Sequence, residues 1–156
     1  MRVVVIAVAN RQPSWVDQGF DEYAKRLGKD CRLELKQIAL AKHRSRGNLE
    51  RVLEDEGHRM LAAVPKAAHV VALSESGSTW STKQLAARLR DWMTLGAPVS
   101  LLIGGPDGLS ATCTQRAAER WSLSPLTLPH GLARILVAEA VYRAWTVNQR
   151  HPYHRS

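Results

Sequence analysis

The stretch Leu101-Leu-Ile-Gly-Gly-Pro-Asp-Gly-Leu-Ser110 runs from an apolar segment directly into a turn of glycines. A strand of a parallel sheet that is buried on both faces is apolar throughout rather than at alternate positions. Glycines after such a strand leave backbone N–H and C=O groups open at the carboxyl edge of the sheet, where open α/β folds bind ligands. The stretch therefore predicts an α/β fold with a small-molecule pocket beside Gly104 and Gly105.

Strand-like and helix-like segments alternate on both sides of this stretch. Apolar or alternating runs predict strands at residues 3–9, 31–40, 69–73 and 98–103, and an extended segment at 122–128. Helical patterns cover residues 14–27, 48–63, 81–96, 109–120 and 132–148, with Ser14 and Asn48 as N-caps and a Ser81/Gln84 capping box. Trp15, Phe20, Tyr23 and Leu27 have the spacing of a core-facing stripe. This alternation predicts a mostly parallel sheet flanked by helices, in a single domain of 156 residues.

The charge of the chain favours a polyanionic partner. Lys and Arg total 22 against 14 Asp and Glu, a formal net charge of +8. A basic protein that neutralises the phosphates of a nucleic acid releases their counterions, and this release drives binding. A soluble protein with a merely basic surface would have the same excess of Lys and Arg. The basic run Lys42, His43, Arg44 and Arg46 fits a solvated loop and an RNA-backbone contact equally well.

Other classes of protein are disfavoured. Cys31 and Cys113 are far apart and outside any metal-ligand spacing, so two reduced thiols and no metal site are expected. The opening apolar run is short and β-branched, as in a core strand rather than a signal peptide. No segment reaches the ~18 apolar residues of a membrane span. A cytoplasmic location is therefore expected.

The glycine turn does not match the common phosphate-binding loops. Neither G-x-x-x-x-G-K-S/T nor G-x-G-x-x-G is present. Its backbone could approach a flat neutral group such as a base or ribose, or it could be a structural turn alone. A second segment supports a pocket: Leu123, Ser124, Pro125, Leu126, Thr127 and Leu128 carry no ionisable side chain. Unpaired backbone groups there could bind an adenine edge.

The final predicted helix is apolar nearly all the way round at residues 135–142. Such a helix needs cover on a second side, either from a dimer partner or from other helices of its own subunit. Glu139 is expected to pair with Arg134 or Arg143, which flank it by about one turn. His130 could act as a base or cap the helix.

The chain ends on Tyr153, His154 and Arg155. These side chains could order a base and its phosphate by stacking and charge-assisted hydrogen bonds, or they could belong to a frayed end.

Three stretches resemble the RlmH family of small bacterial SPOUT-class methyltransferases. They are LLIGGPDGLS at 101–110, SLSPLTLPH at 122–130 and the ending YRAW…HPYHR, and the resemblance extends to VVVIAVA and PSWVDQGFDEY near the start. It implies an α/β fold with a C-terminal trefoil knot and a homodimer. The implied reaction transfers a methyl group from S-adenosylmethionine (SAM) to N3 of a pseudouridine in 23S ribosomal RNA, on assembled ribosomes.

The resemblance also implies roles for particular residues. The cofactor contacts fall at Leu73, at Gly105 and along residues 123–128, whereas Tyr153, His154 and Arg155 belong to the active site, completing the pocket of the partner subunit. Asp107 and Pro125 stand where relatives often have Glu and Ala. Proline removes one N–H, so a cofactor bond at Pro125 would use its carbonyl.

The chemistry leaves the proton acceptor open. Positioning for in-line displacement does most of the work, and the imide nitrogen must lose its proton. His154 or His130 could accept it, or Arg155 could stabilise the anionic base while water takes the proton. The alternatives to this enzyme are a SPOUT-type methyltransferase of another RNA such as tRNA, a non-enzymatic RNA-binding module, and an enzyme with an ordinary nucleotide cofactor.

Overall fold

The computed structural model describes residues 1–42 and 48–155. Five strands form its sheet: β1 (Arg2–Val8), β2 (Arg32–Ile38), β3 (His69–Thr79), β4 (Val99–Ile103) and β5 (Glu119–Ser122). Five α-helices alternate with them: α1 (Ser14–Ala24), α2 (Leu49–Ala63), α3 (Thr82–Thr94), α4 (Ala111–Arg116) and α5 (His130–Asn148). A 3-10 turn, Pro152–Arg155, follows and is called the tail below.

The sheet is parallel throughout, in the order β2-β1-β4-β3-β5. Its two faces carry separate apolar clusters. One joins Val3 and Val5 to Phe20 of α1, Leu89 of α3 and Val141 of α5. The other joins alternate residues of β1 to α2 and α4. The predicted architecture, a parallel sheet with helices on both faces, is confirmed; the trefoil knot stays a prediction.

Two helix ends follow the predicted chemistry. The Asn48 side chain accepts from the Glu50 N–H, 2.8 Å away. Ser81 and Gln84 form the reciprocal capping box, at 3.1 and 2.8 Å. Both pairs satisfy N–H groups that a first helical turn leaves unpaired.

The first helix differs from the prediction. Ser14 is its first residue rather than its N-cap, a position held by Pro13 without a side-chain cap. Trp15 is 53% exposed, so it does not belong to the core stripe, which Val16 and Phe20 supply instead. The other three positions of the predicted stripe are confirmed, because Phe20 is buried and Tyr23 and Leu27 pack against the same apolar cluster. Trp15 differs because it precedes the buried Val16 on a different face of the helix.

The region after α4 was predicted wrongly. The expected helix over residues 109–120 is only Ala111–Arg116, capped by the Ser110 hydroxyl on the Cys113 N–H. Ala118 then donates to the Val70 carbonyl at 2.8 Å, and the chain enters the sheet as β5. Only the first residue of the expected extended segment 122–128 is in a strand; the rest is an irregular loop. Sheet pairing with β3, a tertiary contact, overrides the local helical pattern.

Candidate active site

The main concavity lies at the carboxyl edge of three neighbouring strands. It has a volume of about 730 Å³ and lies where β4 leads into residues 104–109 and β5 into residues 123–129. From β3 it is lined by Leu73, Ser74 and Glu75, at the start of the irregularity between Leu73 and Ser78. We call residues 104–109 the glycine loop and residues 123–129 the serine loop. The edge is the one the sequence predicted.

The glycine loop is both a tight turn and a wall of the cavity. The Gly108 N–H donates to the Gly105 carbonyl at 3.0 Å, and Gly108 has φ +86°. A Cβ on Gly104 would lie 2.4 Å from the backbone carbon of Gly108. Only glycine permits this approach of two backbone segments. The two readings of this turn, structural and ligand-binding, are therefore compatible.

The serine loop is held by its own hydroxyls. Ser122 donates to the Ser124 carbonyl at 3.2 Å, and the Leu126 N–H donates to the Ser124 hydroxyl at 2.9 Å. The loop lines the cavity with the small polar Ser124 and Thr127 and with three leucines, Leu123, Leu126 and Leu128. Leu126 is 73% exposed at the tip of the loop.

The structure brings most of the predicted cofactor residues together. The cavity is lined by Leu73, Gly105, Leu123, Ser124, Leu126, Thr127 and Leu128. Pro125 is exposed and is not among the lining residues.

Several lining residues were missed. Ser74, Glu75, Thr114 and Trp121 also face the cavity. The run of small polar residues after Leu73 was the available signal for the first two. No sequence signal pointed to Trp121, because this residue reaches the cavity only through the pairing of β5 with β3.

The tail lies outside the cavity of its own chain. Tyr153 packs on Tyr142 with ring centroids 4.6 Å apart, and its hydroxyl donates to Glu139 at 3.2 Å. The Arg143 guanidinium lies 4.9 Å from the Tyr153 ring centroid. The tail is therefore docked on the second half of α5, and not frayed. His154 is half-buried and Arg155 is exposed.

Glu139 and Arg134 do not pair. Glu139 accepts from Arg143 at 2.7 Å. Arg134 is fully buried and donates to Gln37 at 3.0 Å, with Asp17 3.9 Å away. Five residues along a helix correspond to about 140° of rotation, so Arg134 and Glu139 point to different faces. The predicted pair with Arg143 is confirmed, and the one with Arg134 is wrong.

His130 is the first residue of α5 and lines the cavity. Pro129 is the N-cap, so the predicted capping role of His130 is wrong. Burial lowers the pKa of its imidazole, and Arg134, 2.9 Å from Nε2, lowers it further. Of the basic loop, Lys42 is exposed, whereas His43, Arg44 and Arg46 lie outside the described residues.

Both cysteines are free and buried. Burial raises the pKa of Cys31 to about 11. In the described ranges 1–42 and 48–155, no group of His, Cys, Asp and Glu has the arrangement of a metal site. No described helix has both the length and the apolar character needed to cross a bilayer.

Comparison with known proteins gives the family. The model of the predicted SPOUT methyltransferase family matches residues 1–154. The ribosomal RNA large subunit methyltransferase H of Methylococcus capsulatus is 52% identical over 155 residues, which cover 99% of this chain and all of that protein. The chain belongs to the RlmH family of SPOUT methyltransferases.

Solved structures agree on the fold. A probable methylase family protein from Haemophilus influenzae superposes with a TM-score of 0.59 at 12% identity, covering 97% of this chain and 69% of that one. A Legionella pneumophila methyltransferase in complex with its cofactor SAM gives 0.51 at 11% identity, covering 92% and 66%. At these identities the likeness concerns the fold of this SPOUT family member.

Proposed function

We propose that this protein is a SAM-dependent methyltransferase that modifies N3 of a pseudouridine in 23S ribosomal RNA, on the assembled ribosome and as a single domain. The observation that carries the proposal is the cavity of main-chain loops at the edge of β3, β4 and β5. A relative 52% identical along the whole chain, named for methylation of large-subunit ribosomal RNA, supports the substrate.

The cavity suits SAM in size and chemistry. Small-molecule sites commonly measure ~300–1,000 Å³ and combine apolar walls with a few polar groups. Leu73 and the serine loop would hold the nucleoside, and Gly105 would allow the close approach of the glycine loop. When bound, SAM supplies a sulfonium methyl group: its carbon–sulfur bond breaks as the N3–carbon bond forms, and the N3 proton leaves. The bound SAM of the Legionella pneumophila neighbour supports this assignment.

A homodimer would bring the tail to the chemistry. Tyr142, on which Tyr153 packs, is twelve residues after the cavity-lining His130, or roughly 18 Å along a helix. The tail thus contributes nothing to its own cavity, and a partner's cavity is the plausible destination. Leu132 and Leu136 are 43% and 42% exposed on the first half of α5, beside the cavity. Covering these leucines with a second subunit would bury apolar surface.

In this dimer, Tyr153, His154 and Arg155 are the catalytic candidates. Burial raises the pKa of Tyr153 to about 12, and Glu139 adds to the effect, so Tyr153 serves as a donor and a packing surface rather than as a base. The exposed Arg155 would stabilise the anionic uracil ring. His154 or water would accept the N3 proton.

The ribosome and the cytoplasm follow as the partner and location of this reaction. The net charge of +8 supports binding to RNA phosphates. Titration calorimetry with SAM tests the cavity, and incubation with ribosomes lacking the modification, followed by mass spectrometry of the 23S RNA, tests the reaction. SAM binding together with a new methyl group on a pseudouridine is expected. Binding without transfer to ribosomes, but with transfer to tRNA, would contradict the substrate.

A further inference from the structure

His130, which lines the cavity, is paired with the buried Arg134 behind it. The guanidinium Nη2 of Arg134 lies 2.9 Å from Nε2 of His130, one turn earlier on α5. Arg134 is fully buried, and Gln37 accepts from its other terminal nitrogen. A buried guanidinium must be supplied with acceptors, because its desolvation is costly.

This contact determines the state of the imidazole. A guanidinium has donors only, so Nε2 of His130 must accept and cannot carry a hydrogen. The ring is then neutral with its proton on Nδ1. Protonating Nε2 would place two donors and two positive charges face to face, and burial acts in the same direction by lowering the pKa of His130.

The second ring nitrogen, Nδ1, is buried and has no hydrogen-bond partner among the described groups. The backbone of Gly104 acts to raise the pKa of His130, but burial and Arg134 outweigh it. The imidazole is therefore fixed from its Nε2 side, by Arg134. Because His130 and Ala133 line the cavity, this contact fixes the first turn of α5 at the cavity wall.

We infer that His130 is a positioning residue of this cavity: its Nε2 accepts from the buried Arg134, which fixes the first turn of α5 at the cavity wall, and it does not accept the substrate proton. The inference rests on the proposed function, since the wall that it positions is the proposed SAM site. The Nε2 lone pair accepts a hydrogen bond from Arg134, so it cannot at the same time accept a proton from the substrate.

Two substitutions separate positioning from base catalysis. His130→Gln extends a carbonyl oxygen toward the position of Nε2 and can still accept from Arg134, although it cannot take up a proton. His130→Ala removes the contact with Arg134. Leu95→Ala, at an exposed position after α3, is the matched control away from the cavity.

The readouts are the SAM dissociation constant from calorimetry and kcat on ribosomes at saturating SAM. For His130→Ala we expect the dissociation constant to rise by about tenfold, the equivalent of one lost hydrogen bond. His130→Gln should recover most of this affinity and keep a kcat close to wild type. Loss of a general base would instead reduce kcat by ~10²–10⁴-fold in His130→Gln.

A pH series gives an independent readout. Wild-type affinity for SAM should weaken as pH falls through the lowered pKa of His130, which lies below the ordinary value of about 6.5, whereas His130→Gln should lack this component. The carboxylates of Asp17, beside Arg134, and of Glu75 and Asp107, in the cavity, are common to both proteins. Their titration therefore cancels in the comparison.

The outcomes are distinct. A large loss of kcat in His130→Gln with unchanged SAM affinity, or an unchanged affinity in His130→Ala, would overturn the positioning role while the proposed function stands. If His130→Ala does not fold, the comparison of His130→Gln with wild type decides alone. Wild-type protein that binds no SAM would overturn both.

Discussion

The Tyr153 hydroxyl donates to Oε1 of Glu139 across 3.2 Å, and the same carboxylate oxygen accepts from Arg143 at 2.7 Å. Glu139 lies in the middle of α5, so its carboxylate ties the end of the chain to the helix whose first residues line the cavity. These two bonds hold the tail against its own helix. In the proposed dimer, a tail held in this way would lose less conformational entropy when it docks on another subunit.

Truncation after Arg150 should abolish methyl transfer while leaving SAM binding intact. The deleted residues do not line the cavity of their own chain, yet they include the three catalytic candidates. Activity on ribosomes should fall by about 10²-fold or more, the cost of lost positioning at a reacting centre. The measurements are calorimetry with SAM and methyl incorporation into ribosomal RNA.

Tyr153→Phe is the matched control for the truncation. It keeps the ring packed on Tyr142 and removes the hydroxyl that donates to Glu139. We expect a loss of ~0.5–1.5 kcal/mol in unfolding free energy, with SAM binding retained. Truncated protein with normal activity would refute the role of the tail.

Gly105→Arg should block SAM binding, because the arginine side chain would start from a wall of the cavity. The matched control is Leu95→Arg, which adds the same charge at a position 53% exposed after α3. Calorimetry should show no saturable binding for the first variant and wild-type affinity for the second. Similar affinities in both variants would place the cofactor elsewhere.

Substitutions in α5 test the proposed subunit contact, and the structure decides which residue to change. Val137 is completely buried in the core of its own chain, so Val137→Glu should unfold the protein rather than dissociate a dimer. Leu132→Glu and Leu136→Glu change exposed positions instead.

The leucine variants should sediment as folded monomers and lose methyl transfer. Circular dichroism establishes that they are folded. A wild-type protein that sediments as a monomer while fully active would contradict the shared site.

Glu119→Gln should destabilise the sheet edge opposite the cavity. Glu119 accepts from His69 at 2.7 Å, Trp92 at 2.9 Å and Arg88 at 3.0 Å. We expect a loss of ~1–3 kcal/mol in the free energy of unfolding by urea. Glu34→Gln, which breaks an exposed pair with Arg2, should cost less than ~1 kcal/mol.

The same carboxylate gives a pH dependence with a defined sign. Burial acts to raise the pKa of Glu119, but hydrogen bonds from His69, Trp92 and Arg88 outweigh it, and the pKa ends below its ordinary value of 4.5. The stabilisation is therefore complete above about pH 4.5 and is lost as pH falls through the lowered pKa. The difference in unfolding free energy between wild type and Glu119→Gln should therefore shrink as pH falls from about 4.5 through the lowered pKa of Glu119.

Much of the fold was predictable because its signals are local. The apolar runs of β1 and β4, the capping box of Ser81 and the cap of Asn48 each depend on residues close in sequence. The glycine loop was predictable for the same reason, since glycines directly after an apolar strand mark the carboxyl end of that strand.

The amino-acid sequence alone determined the alternation of strands and helices, the edge at which the cavity opens and the family, because periodicity, caps and motifs are written in neighbouring residues. The tertiary structure alone decided that residues 119–122 join the sheet, that Val137 faces inward while Leu136 faces outward, and that Arg134 is buried against Gln37 of β2. These outcomes depend on which surfaces, distant in sequence, pack together. The local sequence of an apolar helix or of a short ambiguous segment does not indicate which elements it will contact.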